Sequence, residues 1–155
     1  MTTAFFVSFI LTYGYNTDGG ALAAKVASIG ESRTLGYQEH GAAGWFTIFI
    51  RGMLCNWMVS MGVVGAMIST SAGAKMAAMW MPVMLFFFMG FEHSIVNMFL
   101  FPFSMIMGGE FTIYDYLVWN EIPTVLGNLV GGLFLVGIPL YLTHVRTSPE
   151  RQLAS

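Results

Sequence analysis

Glu92 and His93 stand side by side in a run, Met76 to Met107, that is otherwise almost wholly apolar. A charged group placed at the depth of a hydrocarbon core costs several kcal/mol, about 2.5–3.5 on insertion scales, so such groups face a polar cavity or a substrate path. His93 and Asn97 are four residues apart and share one face if the segment is helical. Phe86 precedes His93 by seven residues, two turns or about 10.5 Å along the same face. That face reads aromatic, imidazole, amide: a bulky ring to constrict a path, then hydrogen-bonding groups beyond it. Asn56, in Leu54-Cys55-Asn56-Trp57-Met58, is a matching lone amide in the middle of a second apolar run. Buried polar groups demand partners. Two readings of the set are open: a ligand pathway, or a structural network in which these groups satisfy one another.

Other chemistries fit poorly. Haem ligation by two histidines needs imidazoles facing each other at matched depth, whereas His93 is mid-span, His144 is at a span's end and His40 is in a loop. A metal centre wants clustered ligands, and only Glu92-His93 offers itself. Ser94 follows His93 directly, and adjacent helix positions diverge in direction, which disfavours a nucleophile–base pair. Neither a cofactor nor an enzymatic reaction is expected. The 13 methionines read as packing or lipid-facing filler.

The elements that must position these residues follow from composition. Of 155 residues 56% are hydrophobic and 9% charged, with mean hydropathy +0.70. A soluble domain carries about 25% charged residues, so this is an integral membrane protein of one domain. The net charge of -2 offers nucleic acid no basic patch. The single Cys55 founds no disulfide framework.

Phe46 to Ile68, with Arg51 its one charge, is long enough to cross a ~30 Å core. Met76 to Met107 exceeds one crossing and carries Pro82, Gly90 and Pro102 around the Glu-His pair. It reads as an interrupted helix, because backbone groups freed at membrane depth survive only beside protein or a wet cavity. Ile122 to His144 is a third span, ending at Pro139 and a polar tail. The octet Ala4 to Leu11 is too short to span and lacks the marks of a signal peptide. It is either the end of a helix whose beginning is absent or a short interfacial or buried helix. The expected division is 1–13 as the end of a truncated transmembrane helix, 14–44 as an extracellular loop, 45–144 as three spans with an interrupted middle helix at 76–107, and 145–155 as a cytoplasmic tail. Lys75, Arg146 and Arg151 on one side, against Glu110, Asp115 and Glu121 on the other, place the C-terminus in the cytoplasm. Trp45, Trp80 and Trp119 read as interfacial anchors. Gly62-x-x-x-Ala66 and Gly127-x-x-x-Gly131 let helix backbones approach closely, and Asn128 reads as a cross-link between helices.

Three motifs in order carry a family resemblance. Gly90-Phe91-Glu92-His93-Ser94-Ile95-Val96-Asn97-Met98-Phe99 resembles the G-F-E-H-S-I-A-N-M-F signature of the formate/nitrite transporter family. Gly52-Met53-Leu54-Cys55-Asn56-Trp57-Met58-Val59 resembles its second motif, and Asn120-Glu121-Ile122-Pro123-Thr124-Val125-Leu126-Gly127-Asn128-Leu129-Val130-Gly131-Gly132 its N-x-I-P-V-T-I-G-N-x-x-G-G. The Met-rich and Phe-rich spans look like those of a eukaryotic, fungal nitrite-transporting branch.

The resemblance implies an all-α, aquaporin-like transporter fold of two inverted three-helix repeats, each protomer with its own pore in a homopentamer. This chain would hold the second repeat and the end of the preceding helix, which makes it a fragment, an incomplete gene model or a short splice form. The implied activity of the full-length form is transport of small monovalent anions, nitrite or formate, linked to protons, across the plasma membrane. His93 would be the central pore histidine that offers a proton or hydrogen bond to the anion, Phe86 part of a constriction, and Asn56 and Asn97 pore-side amides. Glu92 would be the acid that pairs with a lysine in the outer vestibule, with Lys25 the candidate partner. Lys25 departs from the pattern, because Ala27 to Gly44 would have to be an insertion. The alternative function is a non-transporting truncated membrane protein that assembles with, or regulates, a full-length oligomer.

Overall fold

The structure, a computed structural model, describes residues 19–146. The expected helix end at 1–13 and most of the expected tail at 145–155 lie outside the described residues. Among the described residues every regular element is helical. In chain order these are α1 (Gly19–Ser32), α2 (Leu35–Gln38), α3 (Gly41–Ile68), α4 (Ala72–Phe88), α5 (Ser94–Ile106) and α6 (Ile113–Arg146). α3 and α6 are long and apolar enough to cross a membrane. α4 and α5, with 17 and 13 residues, reach only about 26 and 20 Å, short of a ~30 Å core.

Three boundaries differ from the expectations. Residues 19–44 are not a loop but fold as α1, α2 and the first turn of α3. The alanine-rich stretch favours helix, and burial of Val26 and Ala27 fixes it in place. α6 starts at Ile113 rather than Ile122. Thr112 and Asp115 form a capping box, with Asp115 N–H donating to Thr112 Oγ1 (3.1 Å) and Thr112 N–H to Asp115 Oδ2 (2.9 Å). Pro82 and Pro102 lie inside α4 and α5, and Pro139 inside α6, so none of the three ends a helix.

α6 departs from α-helical winding in three π-helical stretches, Leu117–Glu121, Leu133–Gly137 and Tyr141–Arg146. Two of them end two residues before a proline, Pro123 and Pro139. Proline lacks the N–H that would bond four residues back and its ring crowds that carbonyl. Here those carbonyls belong to Trp119 and Leu135, each inside a π turn. The wider i→i+5 winding relieves both.

The chain packs as two compact units, residues 19–48 with 94–123, and 49–93 with 124–146 of the described chain. In the first, α1 lies on α5: Val26 packs with Phe103, and Ser104 Oγ donates to Ala27 O (3.3 Å). A side chain at Gly30 would overlap Ser104, so glycine sets that approach. Phe101, Phe111 and Tyr116 make a second apolar cluster, with Phe101 and Tyr116 stacked at 4.6 Å. Tyr116 also donates its hydroxyl to the buried Glu121 carboxylate (3.0 Å), five residues on.

In the second unit α3 and α6 run in the same direction. A side chain at Gly127 would strike Phe49 O, one at Gly131 would strike Met53 O, and a Cβ at Gly132 would lie 2.7 Å from Asn56 Nδ2. The glycines are what let these two backbones touch. α4 returns antiparallel to α3, with Gly62 against Ala78 and Pro82.

Candidate functional site

The site is built where α4 stops. Gly90 adopts φ +64, a left-handed conformation open to glycine without strain. Around it Gly90 N–H donates to Phe87 O (3.1 Å) and Phe91 N–H to Phe86 O (3.0 Å). These are the two bonds of a Schellman stop, which satisfies the last carbonyls of α4. Residues 91–93 are non-helical, and α5 begins at Ser94. Phe86, His93 and Asn97 therefore do not share one continuous helix face, as their spacing suggests. The chiral turn at Gly90 still folds His93 back over Phe86, with ring centroids 5.8 Å apart and planes tilted by 30°. Phe86 is buried and stacks on Phe87 at 4.4 Å.

Asn128 fixes this irregular backbone. Its side-chain amide donates to Glu92 O (3.0 Å) and to Gly52 O (2.9 Å), while its own carbonyl accepts from Asn56 Nδ2 (2.6 Å). One residue of α6 thus joins the break to α3, and Asn56 is spent on that anchor. Glu92 and Cys55 are fully buried in the same unit. His93 is half-buried, and its Nδ1 is a buried nitrogen without a hydrogen-bond partner among the described residues. An imidazole nitrogen held beside an aromatic ring in apolar surroundings is placed to exchange a hydrogen bond or a proton with a small ligand.

The remaining sequence-derived residues fall in the other unit. Asn97 is fully buried on α5 and donates to Asn120 Oδ1 (2.7 Å), and Asn120 Nδ2 donates to Arg33 O (2.9 Å). Lys25 is exposed on α1. Among the described residues no group of three or more His, Cys, Asp or Glu side chains is placed to hold a metal ion.

A family model described as formate/nitrite transporter matches residues 1–142. The chain belongs to the formate/nitrite transporter family. Its members include a probable formate transporter of Methanothermobacter thermautotrophicus, 33% identical over a 130-residue alignment that covers 79% of this chain and 47% of that protein. The formate-nitrite transporter of Entamoeba histolytica is 34% identical over a 141-residue alignment that covers 88% of this chain and 38% of that one. A solved pentameric formate channel with formate bound aligns with a TM-score of 0.68 at 25% identity, covering 90% of this chain and 59% of that chain. The chain spans less than half the length of these two curated relatives. Formate/nitrite transporters are transporters and not enzymes, and this member is an integral membrane protein with the all-α, aquaporin-like fold of the formate channel.

The sequence reading of Asn128 as a cross-link between helices fits its bonds, but it does not name the partners, and it misses Asn120 and the partner of Glu121. Asn128 lies in the third motif, but its hold on the Glu92 carbonyl is visible only in space. Asn120 and Glu121 open the same motif, and both are buried within the first π stretch of α6.

Proposed function

We propose that this chain supplies part of a transmembrane pathway for small monovalent anions, formate or nitrite, in which His93 donates a hydrogen bond or a proton to the passing anion. The observation that carries the reading is the buried Nδ1 of His93, without a hydrogen-bond partner among the described residues, at a helix break beside Phe86. A desolvated anion in hydrocarbon is very costly, and neutralisation by a proton removes most of that cost. Histidine suits such exchange because its ordinary pKa, about 6.5, is readily moved across physiological pH by its surroundings. Phe86 narrows the path and excludes water next to the imidazole. Asn56 and Asn128 hold the backbone that presents it. The formate channel to which the chain is similar is pentameric and binds formate, which supports the same assembly and cargo class here. The basic residues Lys75 and Arg146 support a cytoplasmic C-terminal end of α6 by the positive-inside rule, with the plasma membrane as the proposed location.

The test is uptake of labelled formate and nitrite into proteoliposomes under an inward proton gradient. It uses this chain alone, and the Methanothermobacter relative carrying residues 46–144 of this chain in place of its own matching region. Flux that rises with the proton gradient is expected in the chimera. His93→Asn should lower it at least about tenfold, the equivalent of one charge-assisted hydrogen bond, and flatten its pH dependence. Equal uptake with equal pH dependence after the substitution overturns the proposal, as does a chimera that folds and carries neither anion.

A further inference from the structure

The second unit carries a groove that the anion pathway does not use. It lies between the second half of α3 and the middle of α4, encloses about 460 Å³, and is walled by Trp57, Met58, Met61, Trp80, Met84 and Leu85. The wall is almost wholly apolar, so a ligand there is held by hydrocarbon contact. Its residues on α4, Trp80 to Leu85, stand about 12–20 Å along the helix axis from Ala72. From Lys75 the same residues stand about 7.5–15 Å along the axis, the depth of the acyl chains of one leaflet, half of a ~30 Å core. Trp80, Met81 and Met84 are 62%, 63% and 49% exposed, so the groove opens sideways. Methionine-rich walls are flexible and adapt to disordered partners.

Charge stands at one end of this groove. Lys75 lies five residues, about 7.5 Å along α4, above Trp80, and is exposed. No acidic residue stands in the first turn of α4 to oppose it. Because α3 and α6 are parallel and α4 is antiparallel to α3, the end of α6 reaches the same side of the unit. It brings His144 and Arg146 with it, both exposed.

We propose that this groove binds the acyl chain of an anionic phospholipid whose headgroup phosphate pairs with Lys75. The hydrocarbon contact sets the position, and the cation selects the headgroup. One lysine near an anionic membrane surface contributes about 1 kcal/mol, which as a binding ratio is roughly fivefold. A second copy of the chain seated in the groove is the competing occupant.

The proposal is tested by tryptophan quenching. The full chain, with Trp45→Phe and Trp119→Phe so that only Trp57 and Trp80 emit, is reconstituted in phosphatidylcholine vesicles. These are doped with brominated-acyl phosphatidylglycerol or with brominated-acyl phosphatidylcholine at the same mole fraction. Quenching should fit an association about fivefold stronger for the glycerol lipid. Lys75→Gln should bring the ratio close to one, and Lys75→Arg should restore it. Lys75 is exposed, so the variants should fold, which circular dichroism checks. Equal quenching by the two lipids in the parent chain overturns the proposal, as does a ratio that Lys75→Gln leaves unchanged. Absence of quenching by either lipid means that protein covers the groove, and it overturns the proposal too.

Discussion

Replacing Asn128 with alanine removes the amide that ties the helix break to α3. Two hydrogen bonds are lost, to Gly52 O at 2.9 Å and to Glu92 O at 3.0 Å. A third, from Asn56 Nδ2 at 2.6 Å, ends on the backbone carbonyl of residue 128 and survives the substitution. Interhelical hydrogen bonds between membrane helices contribute about 0.6 kcal/mol on average and about 1.7 at most, so the two together are worth about 1–3 kcal/mol. Unfolding of the purified chain by sodium dodecyl sulfate, followed by circular dichroism in mixed micelles, should show a loss in that range. Anion flux in the chimera should fall in parallel, since the carbonyl released is that of the residue before His93. A stability change under about 0.3 kcal/mol would refute the anchoring role. A loss of stability within the range but with unchanged flux and pH dependence would refute the claim that Asn128 positions His93.

Three further outcomes follow from the geometry. Gly131→Ala sets a methyl group against the Met53 carbonyl, which backbone cannot yield without parting α3 from α6; a loss at the upper end of the overpacking range of about 1–3 kcal/mol is expected, read as a lower melting temperature and a reduced monodisperse peak in gel filtration. Gly90→Ala keeps the chain in the left-handed region at φ +64, at a cost of about 1–2 kcal/mol for a residue with a Cβ, measured by the same denaturation. A double-mutant cycle with Asn97→Ala and Asn120→Ala should return a coupling of about 0.6–1.7 kcal/mol for their 2.7 Å bond, whereas additive losses would show that the amides act separately.

The all-helical membrane class and the family were legible because the solvent imposes them: apolar runs such as Phe46 to Ile68 have few other uses, and the three motifs are long and ordered. The interruption at residues 89–93 falls on the polar pair that stands out in the sequence, because Gly90 is both a helix breaker and part of the signature. Less was legible where polarity misleads. Residues 113–121 carry Asp115 and Glu121 and look like a loop, yet the first acid is used in a cap and the second is covered by Tyr116. The Thr112-x-x-Asp115 pattern was the available signal. Prolines 82, 102 and 139 read as breaks, but membrane helices accommodate proline by local rewinding, and π turns are invisible in a pattern based on 3.6 residues. Nor does spacing reveal which amide meets which: Asn56 and Asn97 look equivalent in sequence, but one ends on the carbonyl of Asn128 and the other on the side chain of Asn120.

The π turns of α6 also bear on how its length can change. Deleting one residue from an α-helix rotates everything beyond it by about 100° and would carry the far end of α6 off its partner. A π turn holds one residue more than α-helical winding requires, so a single deletion there restores ordinary winding and leaves the faces on either side in register. Leu133–Gly137, whose first three residues are exposed, is in this sense slack in the helix. Leu117–Glu121 is not, because it carries the buried Asn120 and Glu121, bonded to Asn97 and Tyr116, and a deletion there would remove or displace an interior polar contact. Two distortions of the same kind in one helix are therefore unequal: one can absorb insertions and deletions, and the other is committed to the interior it serves.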